Sequence, residues 1–208
     1  MNLKRQLVAL GKDGELTFKM PDGSIQSAPE WEIQNTQALV YLVFDCSGSM
    51  AGSKIAQAKR GALNFAVTAF SDGYKVGLIS FSDMTSHLSS PVDSLQKLAP
   101  GIDHLQIQGS TNLAPAIEEV VSRFKGQTEA LRTMVIVTDG MTINPEQALR
   151  AAENAKMLGI TIMTIGTNDA DPGFLSRLAS QTDLARQVTN TQLEKAITDT
   201  ARMLPRSK

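Results

Sequence analysis

Four strand-length runs of mostly apolar residues, separated by helix-length segments, constrain this chain more than any other feature. Ala38 to Phe44 is apolar throughout. Lys75 to Phe81, Thr133 to Thr138 and Ile160 to Ile165 follow the same pattern. A run without polar alternation marks a strand covered on both faces. The segments between them repeat at helical spacing. Ile55, Ala58, Ala62, Phe65, Ala66 and Ala69 share one side of 53–70. Leu113, Ala116, Ile117, Val120, Val121 and Phe124 share one side of 112–124. Strands alternating with helices imply right-handed crossovers and a mainly parallel sheet. The expected fold class is α/β, a three-layer doubly wound sandwich.

Local signals fill in the rest. Residues 86–92 are expected to add a short edge strand, and 93–98 a short helix. Asn144 stands where a cap would, Pro145 suits the first helical position, and Gln147 can reach back to the cap. Gly159 closes that helix. Asp171-Pro172-Gly173 opens a short helix to Leu178, and 185–188 reads as a last strand. Thr191-Gln192-Leu193-Glu194 has the spacing of a capping box for a final helix to about Leu204.

Residues 1–36 stand apart from this alternation, which assigns 37–208 to the main domain. Gly14 to Met20 reads as a strand, Pro21-Asp22-Gly23 as a turn, and Ser24 to Ser27 as a returning strand. This is an arm or hairpin, with Trp31 expected to pack it down and Glu30 and Glu32 beside it.

Lys and Arg total 20 against 21 Asp and Glu, a net charge of -1, so neither nucleic acid nor an anionic membrane is an expected partner. No apolar run reaches membrane-spanning length. The apolar patch before Leu10 ends too soon at Gly11-Lys12-Asp13 for a secretory signal, so a cytoplasmic location is expected. A single cysteine, Cys46, excludes an intrachain disulfide and a cysteine zinc site.

Ligands of doubly wound sheets sit beyond the carboxyl ends of the strands, where the winding reverses. The unusual residues lie there. Asp45 is the first polar residue after the run 38–44. Ser47 and Ser49 follow at alternate positions with Gly48 between. Asp139 takes the equivalent place after 133–138. Thr111 lies in Gly109-Ser110-Thr111-Asn112, at the start of a helix. Two carboxylates brought together repel unless a cation or proton intervenes. A hard divalent cation prefers oxygen ligands, and Mg²⁺ takes six. Three neutral hydroxyls leave such a cation underneutralised, hence receptive to an outside carboxylate.

The pattern Asp45-x-Ser47-x-Ser49, then Thr111, then Asp139, resembles the metal-ion-dependent adhesion site (MIDAS) of von Willebrand factor A domains. All five positions are filled, and the element order from 37 to 205 is similar to that family's. The resemblance implies a mostly parallel sheet with one short antiparallel edge strand. It implies Mg²⁺ or Mn²⁺, with Ca²⁺ as a further candidate. Ser47 and Ser49 would bind the ion directly. Thr111 would do so in a ligand-engaged state, and Asp45 and Asp139 largely through water. A protein partner would add an Asp or Glu side chain. In some relatives that exchange is coupled to movement of the last helix, here 191–204.

Plainer alternatives accompany this expectation. The serines could simply cap the next helix. Cys46 is expected to turn into the core. Ser82, Asp83, Met84, Met50, Met141, Thr142 and Asn168 are candidates for the rim of the site. His87 and His104 are expected in loops or on the surface. A serine hydrolase would need Gly-x-Ser-x-Gly and a histidine base, and a phosphate loop would need Gly-Lys-Ser/Thr. Neither is present, so an enzyme is not expected, and a metal-dependent hydrolase is the remote rival. A metal-stabilised scaffold subunit of an intracellular ATPase or chelatase-type assembly is the nearer one. Self-association through Glu30 or Glu32 of the arm is a further expectation.

Overall fold

The computed structural model describes residues 6–10, 15–19, 24–29, 38–127 and 131–206. The chain divides into two units, Met1–Thr36 and Gln37–Lys208. In the first, β1 (Gln6–Leu10), β2 (Glu15–Lys19) and β3 (Ile25–Pro29) form an antiparallel sheet in that order. The expected hairpin is therefore β2–β3, and the patch before Gly11 adds a third strand. Glu30, Trp31 and Glu32 lie outside the described residues.

The second unit is built on a six-stranded sheet. Its strands are β4 (Ala38–Asp45), β5 (Tyr74–Phe81), β6 (Thr85–Val92), β7 (Leu131–Thr138), β8 (Thr161–Gly166) and β9 (Ala185–Gln187). Their order is β6-β5-β4-β7-β8-β9. Every pairing is parallel except β5–β6. The antiparallel edge strand expected at 86–92 is β6, where Pro91 is tolerated because the strand has a neighbour on one side only.

Among the described residues six helices cover the sheet: α1 (Ser53–Ser71), α2 (Leu95–Asp103), α3 (Ala114–Arg123), α4 (Pro145–Met157), α5 (Pro172–Leu178) and α6 (Leu193–Thr200). Alternate residues of β4 serve opposite cores. Val40, Leu42 and Phe44 pack with α1, α2 and α6. Leu39, Tyr41 and Val43 pack with α3, α4 and α5. The three-layer sandwich follows from that alternation, since each apolar face needs a cover.

Two close approaches depend on glycine. A Cβ on Gly77 of β5 would lie 2.4 Å from the Tyr41 ring, its neighbour across the ladder. A Cβ on Gly61 of α1 would lie 2.9 Å from Cβ of Ile197 on α6, so these helices meet almost backbone to side chain.

Some boundaries differ from expectation. Helix α2 runs on to Asp103, and α3 begins at Ala114 rather than 112. Asn144 does occupy the cap position of α4 with Pro145 next, but its side chain makes no capping hydrogen bond. The capping box lies at Thr189 and Gln192, not at Thr191 and Glu194. It opens a 3-10 turn, Asn190–Gln192, that runs directly into α6. Thr191 instead meets the Thr189 hydroxyl at 3.1 Å.

Candidate metal centre

The chain enters on β4 and winds to one side through β5, then returns to pair β7 on the other side of β4. The carboxyl ends of β4 and β7 therefore lie together at the reversal. Asp45 ends β4 and Asp139 follows β7, and both are completely buried.

Both carboxylates are held by the chain itself. Asp45 Oδ1 accepts from the Ser47 amide at 2.8 Å, and Oδ2 accepts from Thr138 Oγ1 at 2.6 Å. Burial pushes the Asp45 carboxyl above its ordinary value, against the hydrogen bonds from Thr138 and Ser47, and the nearby charge of Asp139 adds to the rise. Asp139 Oδ1 accepts from Ser49 Oγ at 2.7 Å. The Ser47 and Ser49 hydroxyls are 3.0 Å apart. Asp139 Oδ2 accepts from Lys54 Nζ, which also reaches Asp169 Oδ2 at 3.0 Å.

The serines do not cap a helix. Ser47 precedes a 3-10 turn, Gly48–Met50, without a side-chain capping bond, and α1 is preceded by Gly52 at φ 75°. Both serines instead border a cleft of about 320 Å³. Ser47, Gly48, Ser49, Gly109, Ser110 and Thr111 line it, with Met141 and Ile143. The structure thus brings Asp45, Ser47, Ser49 and Asp139 into one hydrogen-bonded network and places Thr111 on the wall of the same cleft.

The Thr111 loop is fixed from two sides. The Ile143 amide and the Thr142 hydroxyl donate to the Thr111 carbonyl at 2.9 and 3.0 Å. Thr142 Oγ1 in turn accepts from the Leu113 amide. On the other side Asp83 accepts from the Ser110 amide at 2.9 Å and from its hydroxyl. These bonds hold the Asp83 carboxyl below its ordinary value. Gly109 has φ 46°, and a Cβ there would lie 1.7 Å from Asp83 Oδ2. No other residue type fits that position without moving the clamp.

The remaining candidates separate. Met141 and Ile143 are more than half exposed at the cleft, as is Met84 after β5. Met50 is fully buried in the core instead. Thr142 and Ser82 are buried, and the Ser82 carbonyl holds the Asn112 amide at 2.9 Å. The Asn168 carbonyl accepts from Gln187. Cys46 does turn into the core, and burial pushes its thiol up to about 12. His104 is exposed at the end of α2, as expected. His87 is not in a loop. It is half-buried on β6 with Nε2 3.3 Å from the Tyr41 hydroxyl.

Lys54 and Asp169 were not foreseen. Their partnership with Asp139 spans 85 and 115 residues of sequence to Lys54, so no local spacing announces it. The one available signal was that Asp169 follows a strand end, β8.

The donor set suits a hard cation. It offers carboxylate and hydroxyl oxygens without nitrogen or sulfur. Among the described residues no group of three or more His, Cys, Asp or Glu side chains gathers as a metal site, and the candidate centre itself combines two such carboxylates with hydroxyls.

Known proteins resemble this chain in sequence and fold. The family model for the von Willebrand factor type A domain matches residues 40–202. The collagen alpha-4(VI) chain of Mus musculus is 25% identical over 170 residues, 78% of this chain and 7% of that one. The magnesium-chelatase 67 kDa subunit of Heliobacterium mobile is 25% identical over 173 residues, 81% of this chain and 26% of that one. The chain thus spans about a quarter or less of these relatives' lengths. Among solved structures, proximal thread matrix protein 1 from the mussel byssus, with a zinc-occupied MIDAS motif, superposes with a TM-score of 0.70 at 18% identity. It covers 80% of this chain and 45% of that one.

Proposed function

Because the chain belongs to the von Willebrand factor type A domain family, a family of protein-interaction modules, we propose that it captures an acidic residue of a partner protein through a divalent cation. Asp45, Ser47, Ser49, Thr111 and Asp139 would hold that cation. The observation that carries this reading is the hydrogen-bonded network of the two serines with Asp139. Neither serine caps a helix, and their hydroxyls meet each other and Asp139 at the cleft.

The proposed ion is Mg²⁺, with Mn²⁺ or Ca²⁺ as alternatives. When bound it supplies a Lewis-acidic position for an external carboxylate. The chain supplies the rest. Asp45 and Asp139 contribute negative charge from buried positions. Thr138 and the Ser47 amide orient Asp45. Asp83 and Thr142 hold the Thr111 loop. Met141 and Ile143 add an apolar wall suited to a protein partner rather than to a free anion.

The test begins with calorimetric titration of Mg²⁺ into the protein. Saturable single-site binding is expected, lost in Asp45→Ala and Ser49→Ala. Partner binding should then vanish in chelator. Binding that survives chelation would sink the carboxylate-capture reading.

The magnesium-chelatase relative supports a second reading. In that reading this chain is a scaffold subunit of an ATPase or chelatase-type assembly, and the metal chiefly stabilises its loops. That reading expects Ser49→Ala to lower the melting temperature while partner binding persists. Capture expects Ser49→Ala to lose partner binding.

A further inference from the structure

We propose that Lys54 is a tethered counter-ion that competes with the metal for Asp139, so that metal entry drives its ammonium onto Asp169. This rests on the metal reading above, and it assigns Lys54 a role in setting how tightly the ion is held.

Three observations carry it. First, Lys54 Nζ contacts Asp139 Oδ2 directly, and the lysine side chain is only 13% exposed against a fully buried carboxylate. The ammonium thus neutralises one of the two carboxylates the metal would use, at short range and away from bulk solvent. Second, Lys54 is the second residue of α1. A cation is disfavoured at a helix amino end by the dipole, so the helix does not explain its position, and the carboxylates do. Third, Nζ already bridges to Asp169 Oδ2 at 3.0 Å, and that carboxylate is 62% exposed. An alternative partner therefore waits on the solvent side, and the ammonium can leave Asp139 without losing all compensation.

The charge balance gives the device a purpose. While Lys54 holds Asp139, one of the two carboxylates the cation would use is already compensated, so the cation must displace an ammonium before it gains that charge. Lys54 thereby weakens the metal's hold.

The experiment compares Mg²⁺ titration of the wild type with K54M and K54R. Removal of one opposing charge at contact distance should tighten Mg²⁺ binding about tenfold or more in K54M, while K54R stays close to the wild type. Equal or weaker binding by K54M overturns the proposal and leaves the metal site standing. Absence of binding by wild type and K54M alike overturns both. A measurement on the wild type alone guards against misfolding of K54M. Acylation of Lys54, followed by mass spectrometry, should be faster in saturating Mg²⁺ than in chelator. An unchanged or slower rate overturns the proposal.

Discussion

Thr138 shows how much of the site depends on a residue that would touch no metal. Its hydroxyl is buried and donates to Asp45 Oδ2 at 2.6 Å. Thr138→Val keeps the shape and removes the donor. A buried carboxylate oxygen left without its partner costs about 1–3 kcal/mol, so chemical denaturation should show a loss of that size. Mg²⁺ affinity should fall with it, since Asp45 loses its orientation. The five candidate ligands were legible because each sits at a junction where an apolar run stops or a helix starts. Thr138 was legible only as the end of β7, since nothing local shows which carboxylate its hydroxyl meets. Lys54 was illegible for a different reason. A lysine early in a surface helix looks the same whether its ammonium meets water or a buried aspartate across the sheet.

At the scale of elements, β6 carries a pH response. His87 on this edge strand faces the Tyr41 hydroxyl of β4, with Arg123 and Glu119 of α3 as its charged neighbours. Burial lowers its ionisation below the ordinary 6.5, Arg123 lowers it further, and Glu119 opposes both. The folded form therefore binds fewer protons than the unfolded form in that window. The stability contributed is fully present above pH 6.5 and drains as pH falls through the lowered folded value. Melting temperatures measured across mildly acidic pH should fall in the wild type and flatten in His87→Gln. A sequence reader places His87 near an edge strand but cannot see the tyrosine, because α1 and β5 lie between β4 and β6 in the chain. The third strand of the amino-terminal sheet is a local matter: Gly11-Lys12-Asp13-Gly14 between Gln6–Leu10 and Glu15–Lys19 is itself a turn signal, but the short apolar patch before it is read from sequence only as a leader segment. The capping box moved by two residues because two threonines offer the same chemistry, and the 3-10 turn decides between them.

For the molecule as a whole, metal binding at the candidate centre would be coupled to folding. The candidate ligands come from β4, the turn after it, the loop before α3 and the end of β7. That set exists only when the sheet is assembled, so a cation that binds it binds the native state alone. At one hundred times its dissociation constant such a ligand stabilises by about 2.7 kcal/mol. A melting experiment should show a rise with Mg²⁺ that chelator reverses and Ser49→Ala abolishes. An equal rise in Ser49→Ala would place the ion elsewhere. The doubly wound architecture was readable from the apolar runs because each demanded cover on both faces, and the two cores on opposite sides of β4 meet that demand.

The sole thiol carries a practical consequence. Cys46 lies between two candidate ligands yet is sealed in the core, with its ionisation pushed up to about 12. At neutral pH it presents almost no thiolate to an alkylating reagent. The protein is thus a blank for maleimide chemistry. A cysteine introduced at Met157, exposed in the last turn of α4, becomes the single addressable sulfur, so a fluorophore can report binding without first deleting a native cysteine beside the cleft.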